Sequence, residues 1–382
     1  MKKLYFDYAS STPVNEEVKN TFLPYFSEKF GNGGSPHSFG QEAIKAIDIS
    51  RESIAKAINA EFREVIFTTS ATEANNLCLR GVVKASKIEK PKIIISAIEH
   101  SSILHTTEDM QKENLINLEI IPVSKEGIID TEKLQESLDK NTVLVSVMYV
   151  NNELGSIQPL KEIQKIIESF NEENESKILF HSDAVQGLQF LNCDVKDLEL
   201  DFATFSSHKI YGPKGSACLY IKDEIKDQIK QITTGGTQEF GFKAGTVNVP
   251  AVVGFGKATE LIKQNQQEKS QRVKELKEKI LKGIKEIYPE AKKNGTGESA
   301  PHILNIYFPN KSAQEFLIKL DMKGVAVSTG SACASRAVKP SHVLGALGFS
   351  NERVNSSIRF SLGEPTTEEE VKKLLDIIKE II

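Results

Sequence analysis

The sequence is poor in the features that mark several large protein classes. Among its 382 residues there are only four cysteines, Cys78, Cys193, Cys218 and Cys333. They lie far apart and form no C-x-x-C pair, which excludes a disulfide framework and a cysteine-rich zinc site. Any cysteine that matters here acts alone. The histidines miss the short metal-ligand spacings, since His100 and His105 fall on different faces of a helix, and no metal is expected. Charge of one sign is not in excess: 48 Lys and Arg stand against 52 Asp and Glu, a net −4. That balance argues against a disordered chain and against a basic nucleic-acid surface. No apolar run approaches the ~18 residues of a membrane helix, the longest strong one lying around 142–150. Lys2 and Lys3 are followed by Asp7 and Ser10 instead of an apolar signal-peptide core, so a cytoplasmic location is expected. Neither G-x-x-x-x-G-K-[ST] nor G-x-G-x-x-G occurs, which removes the common nucleotide cradles. There are no internal repeats and no low-complexity segments.

What is present is an alternation of short β-branched runs with longer helical patterns. Runs at 64–69, 92–96, 143–150, 178–182 and 201–206 predict an α/β domain with a mostly parallel sheet. Several, notably VLVSVMYV and KILF, are apolar at consecutive positions, as strands covered on both faces require. Polar residues cluster just after them. Ligands of open α/β sheets bind outside the carboxyl ends of the strands, so TTSATEANN, SAIEHSS, YVNNELG, HSDAVQG and FSSHKIYGPKG are expected to line one site. A charged stretch at 256–287 reads as a connecting helix into a second, smaller α/β domain. That domain carries the strand-like LNIYF, VAVST and SIRFSL and ends in an amphipathic helix at 367–382.

Within these segments, a few residues carry chemistry. Lys209 follows an apolar strand at its carboxyl end, where side chains reach a crevice. A free lysine of pKa ~10.4 is protonated near neutrality, so its chemistry requires desolvation or a Schiff base, a use that pyridoxal phosphate supplies. Such a cofactor also needs an acid for its pyridine nitrogen and a phosphate cradle. Asp183 ends the strand KILFHS and suits the first need, although Asp is equally at home as a helix N-cap. Gln186, three residues on, is able to hydrogen-bond the phenolic oxygen. Ser70, Ala71 and Thr72 open a helix after EVIFTT, and helix N-termini hold phosphate; ordinary capping is the plainer reading. His100 follows a strand end and could stack on the ring. Cys333 sits among Gly330, Ser331, Ala332, Ala334 and Ser335, a small-residue loop that exposes a thiol, whereas Cys78, Cys193 and Cys218 have the apolar neighbours of buried cysteines. Arg359, in the strand SSIRFSLG, is either an edge residue or a bidentate anchor for an amino acid's carboxylate.

Taken together, YFDYASSTPV, ATEANN, EHSSIL, VNNELG, HSDAVQG, SSHKIYGPKG, GGTQEFGFKAGT, STGSACAS and SSIRFSLG make the chain resemble the cysteine desulfurases of the class V aminotransferase group. These are fold-type I pyridoxal phosphate enzymes. The resemblance implies a large PLP-dependent transferase domain over 16–254 with a mostly parallel sheet. The small α/β domain would be formed by 1–15 with 255–382 and carry the cysteine loop. It implies pyridoxal 5'-phosphate on Lys209, with Asp183 on the pyridine nitrogen, Gln186 on the phenolic oxygen and His100 over the ring. The phosphate would lie among Ala71, Thr72, Ser206 and His208, with Thr246 reaching in from the second subunit of a homodimer. Asn152, which also borders the cofactor, and Arg359 would grip the carboxylate of L-cysteine. Cys333 would accept the sulfur as a persulfide, releasing alanine, and pass it to an acceptor protein such as an iron–sulfur scaffold or a tRNA-thiolation enzyme; His100 would carry a proton.

The chain departs from the family pattern in three places. GNGGSPHS lacks the usual proline after its first Asn, Lys243 stands where an arginine is usual, and the chain ends soon after SLGEPTTEEE, short of the tail with which some members dock a scaffold. Other readings are a selenocysteine lyase, an aminotransferase, which needs no exposed thiol, and a catalytically silent sulfur-relay scaffold. Such a scaffold would be signalled by loss of Lys209 or Asp183, and both are present.

Overall fold

The computed structural model describes residues 3–295, 297–329 and 340–382. Its strands are β1 (Leu4–Tyr5), β2 (Val65–Thr68), β3 (Lys92–Ser96), β4 (Asn117–Ile121), β5 (Thr142–Ser146), β6 (Leu179–Asp183), β7 (Phe202–Ser206), β8 (Ala217–Ile221), β9 (Lys292–Lys293), β10 (Ile303–Tyr307), β11 (Val325–Ala326) and β12 (Ser357–Ser361). Seven of them form one sheet in the order β2-β8-β7-β6-β5-β3-β4. Its pairings are parallel except at β8, which runs antiparallel to both β2 and β7.

Alternate side chains of these strands feed two cores, because successive residues of a strand point to opposite faces. Val65, Phe67, Ile94, Val145, Phe180 and Phe205 pack on one side with the helices Ser38–Ile58 and Val249–Lys263. Ile66, Ile93, Ile95, Leu144, Leu179 and Phe202 pack on the other, with the helix Ala71–Ala85. Double coverage explains the unbroken apolar runs. The pattern weakens only at β4, an edge strand with exposed positions.

A separate core gathers Leu4, Phe6, Val273, Leu276, Ile280, Leu304, Ile306, Phe316, Ile358 and Phe360. Here β10 pairs with β9 and β12, and β1, from the start of the chain, pairs in parallel with β11. The last helix, Glu368–Ile381, starts on a Thr367/Glu370 capping box and buries Val371, Leu374 and Ile378 on one stripe. The stretch expected as one connecting helix is two. Val249–Lys263 is mostly buried, and Gln266–Ile287 begins after Asn265, whose left-handed backbone (φ 54°) breaks the run. Polar as it looks, the second helix buries Val273, Leu276, Ile280 and Ile284 at helical spacing. Among the described residues no helix is long and apolar enough to cross a membrane.

Candidate active site

The carboxyl ends of β2, β3, β5, β6 and β7 open on one cavity of about 470 Å³. Its wall includes Ala71, Thr72, His100, Asn152, Asp183, Gln186, Ser206, His208, Lys209 and Arg359. Of the residues singled out from the sequence, Thr246 lies elsewhere in the chain, on a second cavity of about 310 Å³ with Asn32, Gly33 and Gly34. Cys333 lies outside the described residues. The other three cysteines are buried, and burial holds the Cys193 thiol up at about 12.

Lys209 is delivered by the turn that follows β7 and returns the chain as the antiparallel β8. The turn is tight: a Cβ on Gly212 would lie 2.1 Å from Ser207 Oγ, and Tyr211 adopts φ 66°, a left-handed backbone uncommon for such a bulky residue. Lys209 Nζ donates to the carbonyls of Ala9 (2.6 Å) and Ser10 (2.7 Å), so the N-terminal segment forms part of the cavity wall. Beside it, burial first, and then the charges of Lys209 and Lys214, push the His208 imidazole down to about 4.

Asp183 terminates β6 and is not a helix cap. One of its oxygens accepts the Val185 amide (3.1 Å) and the other accepts Asn75 Nδ2 (2.9 Å). Asn75 also donates to Ser102 Oγ (2.8 Å), which lies 2.8 Å from His100 Nδ1. A chain of hydrogen-bonding groups thus links Asp183 to His100. The Ser102 amide donates to the same Nδ1 (3.2 Å), so that nitrogen is an acceptor and the neutral ring carries its proton on Nε2. Burial pulls the His100 pKa below its ordinary value; nearby Asp183 opposes the shift and Lys209 adds to it. Asn75 and Ser102 were not singled out from the sequence, although both lie inside segments expected at the site, TTSATEANN and SAIEHSS.

The helix Ala71–Ala85 starts at the cavity with Ser70 as its N-cap, accepting the Glu73 amide. The Ala71 and Thr72 amides stand at its open, electropositive end. Across the cavity, Arg359 from β12 is 3% exposed in its side chain and donates to Asp7 (2.8 Å), Ser10 Oγ (2.7 Å) and the Asn152 carbonyl (2.8 Å). Its Nε and the Ser216 hydroxyl are buried at this wall with no partner. Such orphaned groups are uncommon in a finished interior. With an amine, a carboxyl and a helix N-terminus around one cavity, they make a donor set that fits an anionic, ring-bearing aldehyde cofactor and an amino-acid carboxylate.

Ser328 and Arg359 exchange backbone hydrogen bonds, at 3.2 and 2.7 Å. Ser341 donates to Glu153 (2.6 Å), and His342 Nε2 lies 3.0 Å from the Glu99 carbonyl. The two flanks of the 330–339 segment are therefore fastened next to Arg359, Asn152 and His100.

Comparison with known proteins agrees with this architecture. Residues 4–374 match the aminotransferase class-V family. A cysteine desulfurase IscS of Clostridium botulinum is 40% identical over 384 residues, covering 100% of this chain and 94% of the relative. A solved NifS-like protein superposes with a TM-score of 0.92 at 33% identity, covering 99% of both chains. The structure described as SspA in complex with cysteine gives 0.83 at 31% identity, covering 95% of this chain and 100% of that one. The chain belongs to the cysteine desulfurases of the class-V aminotransferase family.

Proposed function

We propose that the protein is a pyridoxal 5'-phosphate-dependent cysteine desulfurase, converting L-cysteine to L-alanine and passing the sulfur through a persulfide on Cys333 to an acceptor protein. The observation that carries this reading is the convergence of Lys209, Asp183, Gln186, His100 and Arg359 on one cavity in a chain of this family. The bound cysteine in the SspA structure supports the same substrate.

When bound, the cofactor supplies an electron sink for the carbon skeleton of the amino acid. Lys209 would hold it covalently and afterwards serve as the base at the substrate Cα, its amine reaching the cavity from the turn after β7. Asp183 would hold the ring nitrogen, its carboxyl oriented by Asn75 and the Val185 amide. Gln186 would donate to the phenolic oxygen. The Ala71 and Thr72 amides, with Ser206 and His208, would cradle the phosphate. Arg359 and Asn152 would take the substrate carboxylate, and His100, neutral by burial, would carry a proton at Nε2.

Sulfur transfer balances on the protein's own thiol. The Cys333 thiolate bonds to the substrate sulfur and the Cβ–S bond breaks. The bond pair stays with the carbon skeleton, which gains a proton and leaves as alanine. The fastening of Ser328 and Ser341 beside the cavity supports Cys333 as the acceptor. Thr246 would complete the phosphate cradle of a second copy in a homodimer. In keeping with a subunit contact, Phe30, before the loop that borders Thr246's cavity, and Phe39, in the first turn of the helix Ser38–Ile58 after it, are 67% and 50% exposed with rings 5.5 Å apart. A cytoplasmic enzyme that contacts neither nucleic acid nor membrane directly fits the balanced charge.

The test is alanine and sulfide release from L-cysteine in the presence of a thiol reductant. Equal amounts are expected from the wild type. In Cys333→Ser, sulfide should be lost while cofactor absorbance is retained, and in Lys209→Ala both products should be lost. Normal turnover by Cys333→Ser would overturn the persulfide route and favour a lyase or an aminotransferase.

A further inference from the structure

We propose that His302 is a positioning residue that fixes the side-chain amide of Gln186 with its nitrogen on the cavity side, so that Gln186 meets the cofactor as a hydrogen-bond donor. The proposal rests on the reading of the main cavity as the cofactor site. Gln186 and Ala9 both line that cavity, and His302 stands behind them. Gln186 Nε2 donates to the Ala9 carbonyl (2.9 Å), while Oε1 lies 3.2 Å from His302 Nε2.

These two contacts determine the amide orientation. A carbonyl only accepts, so the atom facing Ala9 is the nitrogen, and the oxygen then faces His302, which satisfies it only with a proton on Nε2. The other ring nitrogen agrees. His302 Nδ1 is buried without a partner, and a bare acceptor is better tolerated there than an orphaned N–H. The ring is held in place on Phe190, with centroids 4.8 Å apart. Burial, reinforced by the charges of Lys277, Arg359 and Lys209, pushes its pKa to about 3, so near neutrality it is always the single-donor form. The Ala9 carbonyl is shared with Lys209 Nζ, which leaves His302 as the contact that secures the oxygen end. With Nε2 turned to the cavity side, one of its two protons is engaged by Ala9 and the other is available.

The experiment titrates cofactor-depleted full-length protein with pyridoxal 5'-phosphate and reads the dissociation constant, with thermal unfolding recorded for every variant. His302→Asn places its amide nitrogen near the Nδ1 position, out of reach of Gln186. The expected loss of affinity is about three- to tenfold, the size of one hydrogen bond. His302→Gln carries an amide nitrogen where Nε2 was and is expected to restore binding to within about twofold. In a Gln186→Ala background, His302→Asn is expected to cost nothing further. His302→Leu provides a second side chain with no donor in reach of Gln186 should His302→Asn fail to fold. Wild-type affinity in His302→Asn or His302→Leu, or the same loss with and without Gln186, overturns the proposal. A wild type that takes up no pyridoxal phosphate overturns the cavity reading and the proposal together.

Discussion

Two buried arginine–carboxylate pairs in this molecule look alike in a list of contacts and differ in what they are free to do. Arg51 and Glu239 have side chains 4% and 2% exposed and meet in a fork, at 2.8 and 2.9 Å. Glu239 also accepts the Phe67 amide (2.7 Å), Arg51 donates to the Val65 carbonyl, and its guanidinium lies over Phe62, Phe67 and Phe240. Arg359 meets Asp7 through a single nitrogen, Asp7 is 18% exposed, and Arg359 lines the main cavity; the Nε of both arginines is buried without a partner. The first pair, which borders the second cavity, is held as a fork and locks β2 to the chain around Glu239. The second presents a pre-oriented cation, bound to its carboxylate by one nitrogen, at the wall of the cavity that Lys209 reaches.

The sharpest way to break this comparison is to remove each carboxylate. Glu239→Ala strands a charge among phenyl rings and is expected to cost about 3–5 kcal/mol of stability, the usual penalty for breaking a buried pair. Asp7→Ala leaves Arg359 hydrogen-bonded to Ser10 and Asn152 at a wall that water reaches, and its loss is expected to be about 1–2 kcal/mol. Urea unfolding of the two variants measures both. Equal losses would mean that the cavity-side pair is as structural as the other.

Replacing both arginines by lysine separates binding from folding. Lysine keeps the charge and gives up the planar fork. Arg359→Lys is expected to lower kcat/KM for L-cysteine about 10- to 100-fold, the value of charge-assisted hydrogen bonds at about 1.5–3 kcal/mol, mostly through KM and with little shift in the unfolding midpoint. Arg51→Lys is expected to act the other way round, lowering the midpoint. Steady-state kinetics beside unfolding curves decides between them. A normal KM in Arg359→Lys would remove Arg359 from the carboxylate site.

Most of the cavity was legible in the sequence because each of its segments is a strand end followed by polar residues, and that local signal survives without the fold. Ala71, Thr72, His100, Asn152, Asp183, Gln186, Ser206, His208 and Lys209 all belong to such segments, and all reach the wall. What escaped depends on distance along the chain. His302 meets Gln186 across 116 residues and Asp7 meets Arg359 across 352, and no local pattern marks either contact. β8 and β4 were missed for different reasons. ACLYI follows a Gly/Pro turn, and NLEII is a half-exposed edge strand, which loses the apolar run that marks its neighbours. The break at Asn265 is a single left-handed residue inside an otherwise helical pattern, too small a signal to divide the helix on sequence alone. Thr246 stands apart from the main cavity, on the second one.

The smallest effect tests the fully buried histidines, since burial drives His181 and His302 both to about 3. Between that value and the ~6.5 of an unfolded histidine, the unfolded chain binds protons that the native one refuses, so stability rises with pH. The contribution of each histidine is complete above pH ~6.5 and is lost at about 1.4 kcal/mol per pH unit as acid is added below it. Glu99, which burial raises to about 8, acts in the opposite direction from pH 8 downward. The informative quantity is therefore a difference between two proteins. From pH 7 to 5.5 the urea unfolding free energy of His302→Gln is expected to fall less than that of the wild type, by about one histidine's share, or about 1.4 kcal/mol for the one unit below 6.5. Parallel curves would mean that His302 gains its proton in the native state as easily as in the unfolded chain. A ring that protonates freely could not stay the neutral, single-donor partner that holds the Gln186 amide in one orientation.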